Sequence, residues 1–302
     1  MHIGMVGLGK MGLNMARRLT QGGHTVTGYN KTPERIEEAA AEGIGGASSL
    51  PALVEALPSP RVVWLMIPAG RPVDETIEEL KGLLSKGDIV VDGGNSFYKD
   101  AIARAGALGA LGIRFLDVGV SGGIWGLKEG YCLMAGGDRE TYDHIEPVLK
   151  TLAPPQGCLY CGPTGSGHFV KMVHNGIEYG MMEAYGEGFE LMRASRYGEG
   201  LDFAAISRLW NRGSVVRSWL LELLEDAFGK DAGLSSIKGY VEDSGEGRWT
   251  VQEAVETGVS VPAISASLFR RFRSRQEDSF AEKVLAALRA EFGGHAVRTE
   301  GK

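Results

Sequence analysis

Long apolar runs are missing from this chain. Nowhere do 18 apolar residues stand together, and the best stretch, 62–69, is strand-sized and broken by Pro68, so no membrane span is expected. No secretory leader is expected either, because residues 1–9 run straight into a strand and a turn. Cysteine is scarce. Cys132, Cys158 and Cys161 are too few, and odd in number, for a disulfide framework; with no leader they predict a cytoplasmic protein in a reducing compartment. Cys158 and Cys161 form a C-x-x-C, but a tetrahedral zinc site needs two further ligands at metal-like spacing and none lies nearby. They read as small buried thiols near a strand, and no metal is expected. Positive charge is not in surplus either: 32 Lys and Arg against 38 Asp and Glu leave a net charge of −6, which argues against a nucleic-acid surface. Arg270, Arg271, Arg273 and Arg275 are a local exception.

What is present is length and apolar content. With 302 residues, 43% of them hydrophobic, the chain can bury a full core, and at roughly 100 to 200 residues per domain it reads as two domains. Up to about residue 160, short apolar runs alternate with amphipathic stretches, as parallel strands and crossover helices do. Strands are expected at 2–6, 25–29, 62–67, 88–91, 114–118 and 131–135, and helices at 11–21, 33–42, 73–85, 101–108 and 139–149. The expected fold class is α/β, a doubly wound Rossmann-type domain followed by an all-α domain. From Thr164 onward the β-branched runs vanish and helical periodicity takes over, beginning with an uninterrupted stretch over 165–194. The Pro154-Pro155 pair and Gly162-Pro163 mark the change, which predicts domains at 1–163 and 164–302.

The segment Gly7-Leu8-Gly9-Lys10-Met11-Gly12 is a G-x-G-x-x-G turn between the first strand and a helix whose Met11, Met15, Ala16 and Leu19 share a face. Such a turn puts the phosphates of a dinucleotide on the positive end of the helix, with the glycines allowing the tight turn, the close backbone approach and the helix-to-strand packing. After the second strand comes Asn30-Lys31-Thr32. An acidic residue there would accept from the ribose 2′-hydroxyl of NAD. Donors and a cation suit a 2′-phosphate instead, so NADP is the expected cofactor, with NAD possible.

Further along, Lys171, His174, Asn175 and Glu178 fall at i, i+3, i+4 and i+7 on one helical stripe, with Tyr179 beside it. The stripe lies in an apolar part of its helix, where solvated Lys and Glu would be out of place. A lysine whose charge is disfavoured by its surroundings can act as a base, and a nearby glutamate can carry a second proton. Two glycine-rich segments at strand ends, Asp92-Gly93-Gly94-Asn95-Ser96 and Asp117-Val118-Gly119-Val120-Ser121-Gly122-Gly123, lie where open α/β sheets gather ligands.

With these residues in hand, the chain resembles the decarboxylating 6-phosphogluconate dehydrogenases in their shorter bacterial form, over nearly its whole length. The resemblance rests on the glycine turn, Asn30-Lys31-Thr32, Ile67-Pro68-Ala69-Gly70, the two strand-end segments and Gly167-His168-Phe169-Val170-Lys171-Met172-Val173-His174-Asn175-Gly176-Ile177-Glu178-Tyr179. It extends to Gly247-Arg248-Trp249-Thr250, Arg289 and Phe292-Gly293-Gly294-His295. It implies oxidative decarboxylation of 6-phosphogluconate to ribulose 5-phosphate, with Lys171 as general base and Glu178 as general acid. It also implies that Asn95, Ser121, Gly122, Gly123, His174, Asn175 and Tyr179 hold the phosphorylated sugar acid, and that Ile67, Pro68, Ala69 and Asn95 line the cofactor. Arg271 and, from a neighbouring subunit, Arg289 and His295 would reach the phosphate and carboxyl end. A homodimer or homotetramer is therefore expected, with residues 164–302 forming the substrate and oligomerisation domain.

The chain departs from longer relatives in one place, carrying Ser244 and Glu246 where they have a Lys and a Thr before the Arg/Lys-Trp-Thr element. The nearest rival reading is a 3-hydroxy-acid dehydrogenase of the 3-hydroxyisobutyrate kind, which shares the glycine turn, the serine-glycine-glycine loop and the helix lysine. It has no need of a second proton carrier or of phosphate-binding cations. A non-catalytic dinucleotide-binding scaffold would keep the glycine turn but need not keep the Lys171 stripe.

Overall fold

The computed structural model describes residues 1–298. Its first part is built on one eight-stranded sheet: β1 (His2–Val6), β2 (Thr25–Tyr29), β3 (Gly45–Gly46), β4 (Val62–Leu65), β5 (Ile89–Asp92), β6 (Arg114–Ser121), β7 (Cys132–Gly137) and β8 (Cys158–Gly162). The order across the sheet is β3-β2-β1-β4-β5-β6-β7-β8, whose first six places follow the doubly wound order of a Rossmann fold. The strands are almost wholly apolar because helices cover both faces, so residues pointing either way must be oily. On one face Ile3, Met5, Trp64, Val91 and Val118 pack against Leu13, Met15 and Leu19 of the Lys10–Gln21 helix and Ile145 and Leu149 of the Arg139–Leu152 helix. On the other, Val6, Val63, Leu65 and Val90 meet Val73, Ile77 and Leu80 of the Arg71–Lys81 helix and Leu108 of the Tyr98–Gly109 helix.

Three features depart from the sequence expectation. The sheet is not parallel throughout, since β6 pairs antiparallel with β7 from Leu116↔Gly137 to Ser121↔Cys132. The link between them holds only a 3₁₀ turn, Gly123–Trp125, and a four-residue helix, Gly126–Glu129; it is too short for the crossover that a parallel return requires. The strand β3 and the Leu50–Glu55 helix were not anticipated. A Gly-Gly pair has no strand propensity, and β3 forms only because Thr27 and Gly28 offer backbone partners. The helix is started by the Ser49 hydroxyl, which accepts from the Ala52 amide. Finally, Cys158 and Cys161 lie on β8 as expected near a strand, but half-exposed rather than buried, because β8 is the edge of the sheet.

From Ser166 onward the described residues form helices joined by turns and loops, with no strand. The Ser166–Ala194 helix is followed by helices at Phe203–Trp210, Trp219–Lys230, Glu246–Thr257, Pro262–Ser274 and Phe280–Gly293. Phe189, Leu221 and Phe228 form a small core with Phe203 and Trp210 around them. One compact unit ends at His174 and the second begins at Asn175, inside the long helix. Among the described residues no helix is long and apolar enough to cross a membrane.

The C-terminal end of β5 carries a buried ionic knot. Asp92 is fully buried and accepts from Ser96 Oγ at 2.8 Å, from the Gly94 amide at 3.0 Å and from Arg104 Nη1 at 3.2 Å. Burial pushes the Asp92 carboxyl up, but His168, Ser96 and the Gly94 amide around it outweigh that and hold it below its ordinary value. Arg104, itself buried, also donates to Asp74 at 2.8 Å and to the Gly70 carbonyl at 3.3 Å. Removing one partner of such a pair strands the other charge. Arg104→Met is therefore expected to lower unfolding stability by about 3–5 kcal/mol in urea titrations, and adding Asp92→Asn should recover part of that loss. An unchanged midpoint for Arg104→Met would count against the pairing.

Candidate active site

The glycine turn has the form a dinucleotide needs. Gly7 has a φ of +97°, and a Cβ on it would lie 2.3 Å from the Met66 carbonyl oxygen. A Cβ on Gly12 would lie 1.9 Å from the Gly7 carbonyl oxygen, so the helix can start this close to the turn only without side chains. At Gly9 the surroundings are open, with no atom within 4 Å of where a Cβ would stand. Gly9 caps the Lys10–Gln21 helix without a side-chain hydrogen bond, and there is no acidic residue in the first turn. The positive helix end thus faces outward beside bare backbone, which fits a pyrophosphate. The Leu8 amide donates to Asn30 Oδ1 at 3.0 Å, so Asn30 braces the turn, while Lys31 and Thr32 are exposed beside it. Ile67 touches the Gly7 position, with Pro68 and Ala69 following at the end of β4.

The two other strand-end segments are tied to each other. Asn95, with a φ of +54°, accepts from the Val120 amide at 2.8 Å and donates from Nδ2 to the Val120 carbonyl at 3.0 Å. That pair of hydrogen bonds holds Ser121, Gly122 and Gly123 next to the turn after β5. Gly122 and Gly123 both have positive φ, 127° and 53°, as the sharp exit from β6 requires. Ser121 Oγ comes within 3.5 Å of His174 Nε2, and His174 Nδ1 within 3.5 Å of Lys171 Nζ. Lys171 is only 4% exposed, so a buried lysine meets an imidazole and a hydroxyl that are half-buried. A chain of this kind can take a proton from a substrate hydroxyl and keep it. The stripe continues along the helix through Asn175, buried, and Glu178, half-buried.

In the second unit a different cluster surrounds Tyr179. Its hydroxyl accepts from the Ser244 amide at 3.2 Å and lies 3.4 Å from Ser244 Oγ, and Ser244 in turn donates to Glu246. The two residues that departed from the longer relatives thus form one tether on the Tyr179 hydroxyl. The departure itself was the only sequence signal for it. Gly247 allows the contact, since a Cβ there would lie 2.5 Å from the Tyr179 ring. Arg271 stacks on the same ring at 3.5 Å and donates to the Glu242 carbonyl at 2.7 Å. Its neighbours are committed to carboxylates instead: Arg270 to Glu183 at 3.5 Å, Arg273 to Glu282 at 2.7 Å and Arg275 to Asp243 at 2.7 Å. Arg248, with Arg275, holds the Asp243 carboxyl down to about 2. Tyr179, Arg270, Arg271 and Arg273 line an open cavity of about 660 Å³. Arg289 and His295 are exposed, the first on the Phe280–Gly293 helix and the second just beyond it. Among the described residues no group of three His, Cys, Asp or Glu is arranged to hold a metal ion.

A Rossmann-type sheet with an open glycine cradle, and a buried lysine on the long helix that leads out of it, define a dinucleotide-binding oxidoreductase. Two family models match the chain: one described as the NAD binding domain of 6-phosphogluconate dehydrogenase, over residues 2–162, and one as the C-terminal domain of 6-phosphogluconate dehydrogenase, over residues 167–298. YqeC of Bacillus subtilis is 47% identical over 98% of this chain and 99% of its own. A Haloferax volcanii protein named as an NAD(+)-dependent, decarboxylating 6-phosphogluconate dehydrogenase is 44% identical over 98% of each chain. The solved 6-phosphogluconate dehydrogenase of Plasmodium falciparum superposes with a TM-score of 0.83 at 31% identity, covering all of this chain and 67% of that one. The chain belongs to the 6-phosphogluconate dehydrogenase family, an oxidoreductase family that binds a nicotinamide dinucleotide.

The glycine cradle makes a paired prediction. Gly9→Ala should fold with an unchanged melting temperature yet weaken dinucleotide binding at least tenfold in a fluorescence titration, because its methyl enters the space the phosphates need. Gly12→Ala should lose melting temperature and binding together. Wild-type affinity in Gly9→Ala would place the phosphates elsewhere.

Proposed function

We propose that this protein oxidises and decarboxylates 6-phosphogluconate to ribulose 5-phosphate and CO₂, reducing NADP, with NAD as the weaker acceptor. The observation that carries this reading is the buried Lys171, linked through His174 to Ser121 at the end of β6, with Glu178 two helical turns further along the same stripe. When bound, the nicotinamide supplies the acceptor for the hydride that leaves C3 of the substrate. Lys171 accepts the proton of the C3 hydroxyl, which leaves a 3-keto acid. The C1–C2 bond then breaks, its electrons flow toward the ketone, CO₂ leaves, and protonated Lys171 steadies the enolate. Glu178 delivers the proton to the substrate's C2, which becomes C1 of ribulose 5-phosphate. Ser121, Gly122, Gly123, His174, Asn175 and Tyr179 orient the sugar acid, with Asn95 holding its loop. Arg271 takes the phosphate, supported by its stacking on Tyr179 where its three neighbours pair with carboxylates. The absence of an acid after β2 and the exposed Lys31 favour a 2′-phosphate.

In this reading residues 1–163 form the dinucleotide-binding domain and 164–302 the substrate and oligomerisation domain. The protein works as a homodimer or homotetramer in which Arg289 and His295 complete a neighbour's site. The Phe280–Gly293 helix supports this, since it carries Phe280, Leu285, Leu288 and Phe292 yet buries none of its residues, Phe292 being 97% exposed.

Initial rates of nicotinamide reduction with 6-phosphogluconate, run in parallel with NADP and NAD and with CO₂ collected, test the reaction and rank the cofactors. Stoichiometric CO₂ is the expected result. Silence from protein shown to bind dinucleotide would move the reading to a 3-hydroxy acid without a phosphate. Lys171→Met should abolish turnover and leave dinucleotide affinity nearly unchanged; retained turnover would remove Lys171 from the role of base. Light scattering should return a dimer or tetramer mass, and truncation after Leu288 should raise KM for 6-phosphogluconate at least tenfold. An unchanged KM would make the tail cations structural.

A further inference from the structure

The long helix does not merely follow the sheet; its first turns run along one face of β6. Alternate residues of a strand share a face, so Asp117, Gly119 and Ser121 point the same way. Asp117, fully buried, accepts the Gly165 amide on Oδ1 at 2.7 Å and the His168 amide on Oδ2 at 2.8 Å. Two residues on, a Cβ added to Gly119 would stand 2.3 Å from Lys171 Cβ. Two residues further, Ser121 Oγ meets His174 Nε2 at 3.5 Å. The spans match: four strand steps cover about 13 Å, as do the nine helical steps from 165 to 174. The helix is also pressed down on this track. A Cβ on Gly167 would lie 2.4 Å from the carbonyl oxygens of both Asp117 and Met134, and one on Gly136 would lie 2.6 Å from the Gly167 nitrogen.

We propose that β6 is a template that sets where Lys171 Nζ stands, with Asp117 as a positioning residue that fixes the helix along its axis and Gly119 as the clearance that lets Lys171 sit against the strand. Asp117 satisfies two amide donors of the helix start that would otherwise be buried without an acceptor, and its charge favours the positive helix end. Sliding the helix by one residue would break both bonds and drive the Lys171 side chain off Gly119. The proposal rests on Lys171 acting as the base.

Gly119→Ala and Asp117→Asn, made in the full chain, test it with kcat and KM for 6-phosphogluconate, dinucleotide affinity and melting temperature. Gly119→Ala is expected to lower kcat on the order of a hundredfold, with KM and dinucleotide affinity within about threefold, because a displacement near 1 Å costs the chemical step and not the binding step. Asp117→Asn keeps the shape but turns an amide donor toward a backbone donor, and the same split is expected. It carries the test if Gly119→Ala fails to fold. A folded variant of either kind with wild-type kcat, or one whose loss falls on KM alone, overturns the template. Turnover retained in Lys171→Met would remove the base itself, and the template with it. Loss in Lys171→Met with wild-type kcat in both template variants would overturn the template alone.

Discussion

Backbone must approach backbone where the long helix crosses β6 and β7, and much of the rest of the molecule is arranged around that requirement. A helix ordinarily stands clear of a sheet because side chains fill the gap. Here Gly119, Gly136 and Gly167 remove the filling, so the first helical turn lies directly on the strands. The close approach puts Lys171 in a nearly dry setting without lengthening its reach, and brings His174 down to Ser121. It also creates a debt of unpaired amides at the helix start, which Asp117 meets from below. The antiparallel β7 belongs to the same arrangement: with its link to β6 held to a turn, the strand returns at once and supplies Met134 and Gly136 as the second rail under the helix.

How much of this could be read from the chain alone depended on whether the cause was local. The Gly7 turn, the apolar strands and the Lys171 to Glu178 stripe are local patterns of period or spacing, and the family resemblance rested on them. The reversal of β7 was hidden because a strand's direction is set by the length of its connection, and its apolar run reads the same either way. Asp117 read only as part of a glycine-rich strand end, since its partners lie 48 and 51 residues away. Asn95 reads as a ligand contact, and its two hydrogen bonds to Val120 depend on a φ of +54° that residue type alone does not predict. Ser244 and Glu246 stood out only as departures from a pattern.

Charge in the helical unit is spent selectively. Four arginines lie within six residues, yet three are balanced by Glu183, Glu282 and Asp243, while Arg271 rests on the Tyr179 ring. Burial, and the like charges of Glu187 and Glu190, push the Glu183 carboxyl up against the pull of Arg270 and Arg271, and the cavity carries these glutamates from the Ser166–Ala194 helix with arginines from the Pro262–Ser274 helix. In the proposed reading the phosphate meets in Arg271 a cation whose approach is fixed by stacking on Tyr179, which favours discrimination over raw attraction.

The clasp between Asn95 and Val120 has a consequence for how such a protein can change over time. It joins the turn that follows β5 to the loop that follows β6 through one side chain, so neither can be lengthened or re-angled without letting go of the other. Insertions at one of these two strand ends would have to be matched at its neighbour.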